Sequence, residues 1–201
     1  MKYIYKTLSF VAAIAVGAFA LVSCTDEENH TYGVDDLTGV LTFYDLQDVR
    51  NMTTNEEIST YMQDMDYSGV QYNFSKTEKF SLLSLTDALP VSYEFYAIAQ
   101  TNAQLVIKWL NLSTIKALLE RRLPEIAPVM DGYTFRYAYL NGNTYSSAES
   151  AIAAFTQIDF AAYTYTQFAL DIYYESACVT VSVQNHDANG YYHLKYQINH
   201  L

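Results

Sequence analysis

Ser113 and Lys116 stand three residues apart at the start of a helix-forming stretch, the S-x-x-K spacing in which a lysine amine can activate a serine hydroxyl. Chemistry of that kind also calls on S-D-N and K-T-G elements. The sequence has neither, and Lys76-Thr77-Glu78 fails at its third position. Ser113 therefore reads as a helix cap followed by a surface lysine. His186, His193 and His200 recur every seven residues and invite a metal reading. An odd spacing along a continuous strand puts His193 and His200 on opposite faces, and His186 falls in a turn, so no shared metal site is expected. Asn185 to Gly190 places oxygen-bearing side chains at alternate positions like the first half of a calcium loop, but Tyr196 sits where the closing bidentate acid belongs. The segment reads as a hairpin turn.

Asp171 and Glu175 fall on one side of a strand, yet four residues separate them by roughly 13 Å, beyond the ~6.5–9.5 Å over which paired glycosidase carboxylates act. There is no G-x-S-x-G, no P-loop and no G-x-G-x-x-G. No catalytic residue is assigned and no cofactor is implied. What stands out instead is tyrosine, 20 residues against one tryptophan. A tyrosine ring covers a half-buried pleated surface while its hydroxyl reaches water. The outward-facing Tyr96, Tyr173 and Tyr191, with His193, are the candidate binding residues, for a glycan or a protein.

Strands must position them. Val70, Tyr72 and Phe74 alternate with polar residues, and Phe80 to Leu85 reads as the returning strand. Tyr93, Phe95 and Ala97 face in from Val91–Gln100, opposite Glu94 and Tyr96. Leu105, Ile107 and Trp109 alternate as its hairpin partner. Tyr133, Phe135, Tyr137 and Tyr139 form one aromatic face, closed by the turn signal Asn141-Gly142. From Tyr163 the alternation resumes but changes phase near Gln167, which demands a bulge or tight turn. Val179, Val181 and Val183 then pair with Tyr192, Leu194, Tyr196 and Ile198 in the clearest hairpin. Leu37 to Leu46 reads as a first strand.

Three helices are expected. Acids at Glu56 and Glu57 precede Ile58, Met62 and Met65 at helical spacing, while Ile58, Thr60 and Met62 also alternate as a strand would. Ile115, Leu118, Leu119 and Leu123 share a stripe that Pro124 ends. Ser146 and Glu149 match a capping box before Ile152, Phe155 and Ile158. With about nine or ten strands and two or three short helices, the pattern predicts a β-rich α+β domain, an antiparallel sandwich or partly open barrel.

The N-terminus carries an address. Lys2 and Lys6 flank an uncharged apolar run from Leu8 to Leu21, too short for the roughly 20 residues of a membrane-spanning helix. It ends in Leu21-Val22-Ser23-Cys24, which resembles a bacterial lipoprotein cleavage box. Thr25-Asp26-Glu27-Glu28-Asn29 is similar to the acidic export tag of Bacteroidota lipoproteins, and the whole chain resembles their small, tyrosine-rich surface members. The resemblance implies a signal peptide over 1–23, lipid on Cys24, and an acidic tether over 24–37 ahead of one β-rich domain over 38–201. It also implies an outer-membrane protein held by that lipid and facing the cell exterior, with a periplasm-facing placement as the alternative. It brings no ligand-binding residue with it, and the expected role is a noncatalytic module that binds or scaffolds extracellular glycan or protein, with an envelope hydrolase whose site is assembled from sequence-distant residues, or a structural subunit of a surface assembly, as the alternatives.

The formal net charge is −11. Removal of residues 1–23 takes away two lysines and no acid, which leaves nine basic and 22 acidic groups, a balance of −13. Such a chain repels phosphate backbones, and no basic cluster exceeds Arg121-Arg122, so nucleic acid is excluded as an expected partner. Cys178 then stands alone, and the domain must hold by packing without an internal disulfide.

Overall fold

The computed structural model describes residues 40–78, 91–185 and 191–201. The expected return strand Phe80 to Leu85, the loop from His186 to Gly190, and Cys24 with its tether lie outside them. The compact unit that holds the sheet runs from Thr38 to Leu201. It is β-rich α+β, as the sequence predicts. Its nine described strands form one antiparallel sheet that does not close into a barrel.

In chain order the strands are β1 (Ser68–Val70), β2 (Asn73–Glu78), β3 (Val91–Ile98), β4 (Asn102–Leu110), β5 (Phe135–Leu140), β6 (Asn143–Tyr145), β7 (Gln167–Tyr174), β8 (Ala177–Asn185) and β9 (Tyr192–His200). Across the sheet they run β1-β2-β3-β4-β9-β8-β7-β5-β6. The last strand in sequence thus lies at the centre and joins a β1–β4 half to a β5–β8 half. Each terminal strand has only three residues, which leaves little edge for unwanted pairing.

The period-two pattern sets the faces. Tyr93, Ile107, Leu194, Val183 and Phe168 fall in register across five strands, and all are buried. Helices cover that face: α1 (Phe43–Asn51), α2 (Asn55–Asp64), α3 (Leu112–Arg122), the four-residue α4 (Ile126–Val129) and α5 (Ala148–Thr156). Four of these span nine or more residues, one helix beyond the three the sequence announces. α1 packs on β4 and β9, where the Phe43 and Tyr196 rings lie 5.1 Å apart. α5 packs on β5 and β7, with Phe155, Phe160 and Phe168 meeting edge to face.

Several local expectations are corrected. Over its described residues, 40–46, the expected strand Leu37 to Leu46 is not a strand. From Phe43 the chain is helical, because Thr42 and Asp45 make a reciprocal capping box and Phe43, Leu46, Val49 and Arg50 form one buried stripe. Asn111, rather than Ser113, caps α3 by accepting from the Thr114 amide at 2.8 Å. Ser147, rather than Ser146, caps α5 through the Ser150 amide. Both caps sit one or two residues from those expected, a shift that leaves the buried stripes unchanged.

The remaining turns follow their chemistry. Asn141 and Gly142 take φ of 48° and 92°, the left-handed pair of a two-residue hairpin joining β5 to β6. The phase change near Gln167 is a bend with Tyr165 at φ 54°, after which β7 starts afresh. In the β1–β2 hairpin a Cβ on Gly69 would lie 2.1 Å from the Asn73 carbonyl oxygen, so only glycine fits there.

Candidate functional site

None of the described helices packs on the second face of the sheet. Its side chains are half-exposed or exposed except along β8, where Cys178, Thr180 and Ser182 are small and sit low between longer neighbours. Polar residues dominate, and they bond both along and across strands. On β9, Lys195 Nζ donates to Gln197 Oε1 at 3.2 Å, and Gln197 Nε2 donates to Asn199 Oδ1 at 2.8 Å. Asn199 Oδ1 also accepts from Asn102 of β4. Glu94 on β3 and Lys108 on β4 form an ion pair.

The face has two aromatic regions. On the β5–β7 side Tyr137 and Tyr173 stand directly opposite each other, with ring centroids 4.6 Å apart and planes 23° from parallel. Tyr137 and Tyr139 are both exposed. Beside the stack, Thr180 Oγ1 donates to Asp171 Oδ1 at 2.6 Å. Burial first, and with it the negative charge of Asp171, pushes the Tyr173 hydroxyl above its ordinary pKa. Glu175 lies beyond the end of β7 and is exposed, so Asp171 has no acid partner on that strand.

The expected aromatic face from Tyr133 to Tyr139 is thereby split. A register irregularity between Phe135 and Tyr137 sends Phe135 against Tyr174 on the covered side and leaves Tyr137 and Tyr139 outside. Tyr133 precedes the strand and accepts from Arg50 Nη2 at 2.8 Å, tying α1 to the loop before β5.

The β1–β4 side holds the second region. Tyr96 is half-exposed and lines a groove of about 490 Å³ with Asn73, Ser75, Glu94, Gln104 and Val106, one wall being the β1 residues Ser68 to Val70. Further along β4 the structure corrects the sequence: Trp109 does not face in with Leu105 and Ile107. The β4–β9 register shifts between Ile107 and Leu110, so Lys108 and Trp109 together oppose His193 while Leu110 takes the inward place opposite Tyr192. Trp109 adopts φ 67°, a conformation that costs a bulky residue about 1–3 kcal/mol. Its indole meets the His193 ring edge to face at 5.1 Å. Bulges of this kind re-aim side chains beside functional sites.

Tyr96 and Tyr173 lie on the same face but four strands apart, about 19 Å at ~4.8 Å per strand, so the four predicted residues do not meet in one pocket. His193 sits with Trp109 on the Tyr96 side. Tyr191 is half-buried just before β9. Sequence reasoning missed Trp109 and Tyr137. The signal for Trp109 was present in Leu110, an apolar residue that breaks the alternation.

His200 faces the opposite side of β9 from His193, and its ring nitrogen lies 2.6 Å from the Ser176 carbonyl oxygen. Among the described residues no three His, Cys, Asp or Glu side chains converge as a metal site. No described helix is long and apolar enough to cross a membrane. Ser113 is exposed and donates to the α3 cap, Asn111 Oδ1.

Cys178, beneath the tyrosine stack, is a buried free thiol. Burial, reinforced by Asp171, pushes it up to about 11. Its native form is therefore expected to resist alkylation at pH 8, where only about 0.1% is thiolate, and to react fully in denaturant. Because burial favours the protonated thiol, stability should fall as pH climbs from about 9 towards 11. A thiol-reagent time course with and without urea checks the first point. Rapid native labelling would mean that the start of β8 is open.

No protein-family model, curated protein or solved structure matches this chain.

Proposed function

We propose that this chain is an outer-membrane lipoprotein, held by lipid on Cys24 and presented to the cell exterior, whose domain is a noncatalytic module binding extracellular glycan or protein through the uncovered sheet face. The observation that carries the binding half is the asymmetry of the sheet. Helices bury one face, while the other holds stacked and edge-to-face aromatic rings among amides and hydroxyls that bond to one another and the Glu94–Lys108 ion pair. Rigid rings amid adaptable hydrogen-bonding groups give recognition at low entropy cost. The address half is supported by the Leu21–Cys24 box and the acids behind it.

The test uses mature lipoprotein purified from membranes in detergent, screened against a glycan array and against cell-surface protein fractions. Binding to at least one class is expected, weakened about tenfold or more by truncating rings of the uncovered face to alanine. Binding that survives Tyr96→Ala, Trp109→Ala and the double change Tyr137→Ala with Tyr173→Ala, each folded, would remove this face from the account.

A further inference from the structure

The geometry points to an oligosaccharide-binding track on the uncovered face, running from the Tyr96 groove past the Glu94–Lys108 ion pair to the re-aimed Trp109. This deepens the binding-module reading and rests on it. The chain's single tryptophan is turned out of the core by a bulge, held at φ 67°, and set against His193. A core role would need none of this, since Leu110 already fills the inward place.

Tyr96 pairs with Gln104 and Ser92 pairs with Lys108, the residue before Trp109. The two rings are thus about four residues apart along the strands, roughly 13 Å, which is the reach of a short run of sugar units and more than one ring. The face supplies what saccharide hydroxyls bind. Asn73 and Gln104 flank Tyr96 in the groove, and between the two rings Ser75, with Glu94 and Lys108 as a fixed acceptor and donor, stands beside Val106. An aromatic ring at each end gives the apolar C–H faces of sugars a surface to lie on, while the ion pair and the Ser75 hydroxyl between them discourage a purely apolar ligand. The cavity of about 490 Å³ beside Tyr96 matches the lower part of the usual size range of small-molecule sites.

Trp109 reports on itself, because tryptophan emission can be excited apart from the tyrosines. Mature lipoprotein in detergent would be probed with an array of defined oligosaccharides of two to eight sugar units, then titrated with the strongest binders while Trp109 emission and calorimetric heat are followed. An emission change that saturates with the calorimetric curve is expected, with affinity rising with chain length. Trp109→Ala and Tyr96→Ala should each lower affinity about tenfold or more, and Trp109→Phe should retain part of it. Trp109→Gly controls for folding. Glycine accepts the left-handed conformation, so this variant should melt at or above Trp109→Ala while binding as poorly.

Unchanged affinity in Trp109→Ala and Tyr96→Ala, with loss in the Tyr137/Tyr173 double variant, overturns the track but leaves the binding-module reading in place. Specific protein binding with no oligosaccharide bound does the same. No binding to either class overturns both.

Discussion

Replacement of Arg122 by alanine is expected to lower the unfolding free energy by about 3 kcal/mol, the cost of breaking an ion pair whose guanidinium is buried and whose carboxylate is mostly covered. Arg122 is 3% exposed, at the end of α3. Its Nη1 donates to Glu125 Oε1 at 2.7 Å, and its Nη2 donates to the Val40 carbonyl at 2.9 Å. Glu125 Oε2 in turn accepts from the Phe43 amide at 3.0 Å, at the first turn of α1. One guanidinium thus joins α3, the following 3-10 turn and the start of α1, the helix whose Phe43 ring packs on Tyr196 at the sheet centre.

The contrast is Lys108→Ala at the Glu94 pair on the uncovered face. That pair is more exposed, and its loss is expected to cost no more than about 1 kcal/mol. Urea melts with a common slope would measure both. Equal shifts for the two variants would mean that the buried pair does not fasten the helical layer to the sheet.

Cys24→Ser is expected to change the protein's location entirely. If Cys24 carries the two acyl signals of a lipoprotein, its removal deletes the anchor, since each buried methylene contributes about 0.8 kcal/mol and two chains make attachment stable. Without the thiol the precursor should keep residues 1–23. Wild-type protein should enter the detergent phase of a cloud-point separation, with an intact mass showing a lipidated N-terminus at Cys24. The Cys24→Ser variant should carry its signal segment and no lipid. A wild-type mass without acyl groups would remove the membrane attachment from the proposed function and leave the binding face untouched.

Much of the fold was legible because alternation is a local property. Val179, Val181 and Val183 had to share a face with Tyr192, Leu194, Tyr196 and Ile198, and all seven are buried in register. Asn141-Gly142 announced its turn for an equally local reason, the left-handed φ it requires. The first helix was not legible. Phe43, Leu46, Val49 and Arg50 lie at helical spacing, but the apolar residues before them read as well for a strand, and the sheet beneath Phe43 made the choice.

The candidate site was half visible. Tyr96, Tyr173 and His193 were placed on the correct face by parity alone, and His193 and His200 were correctly separated. Parity could not see the two irregularities that shape the site. One sends Phe135 to the covered side and Tyr137 outward; the other turns Trp109 from the covered side to the open one.

By itself, then, the sequence determined the β-rich α+β class, the pairing of its hairpins, and which side of most strands is buried, because a two-residue period and turn chemistry are properties of a few neighbouring residues. Only the tertiary structure decided that the sheet is single and open, that all five described helices gather on one face, and that Trp109 stands beside His193. Those outcomes depend on residues far apart in the chain. The central place of β9 between β4 and β8, and the inward position Leu110 takes opposite Tyr192, are set by packing across the whole sheet.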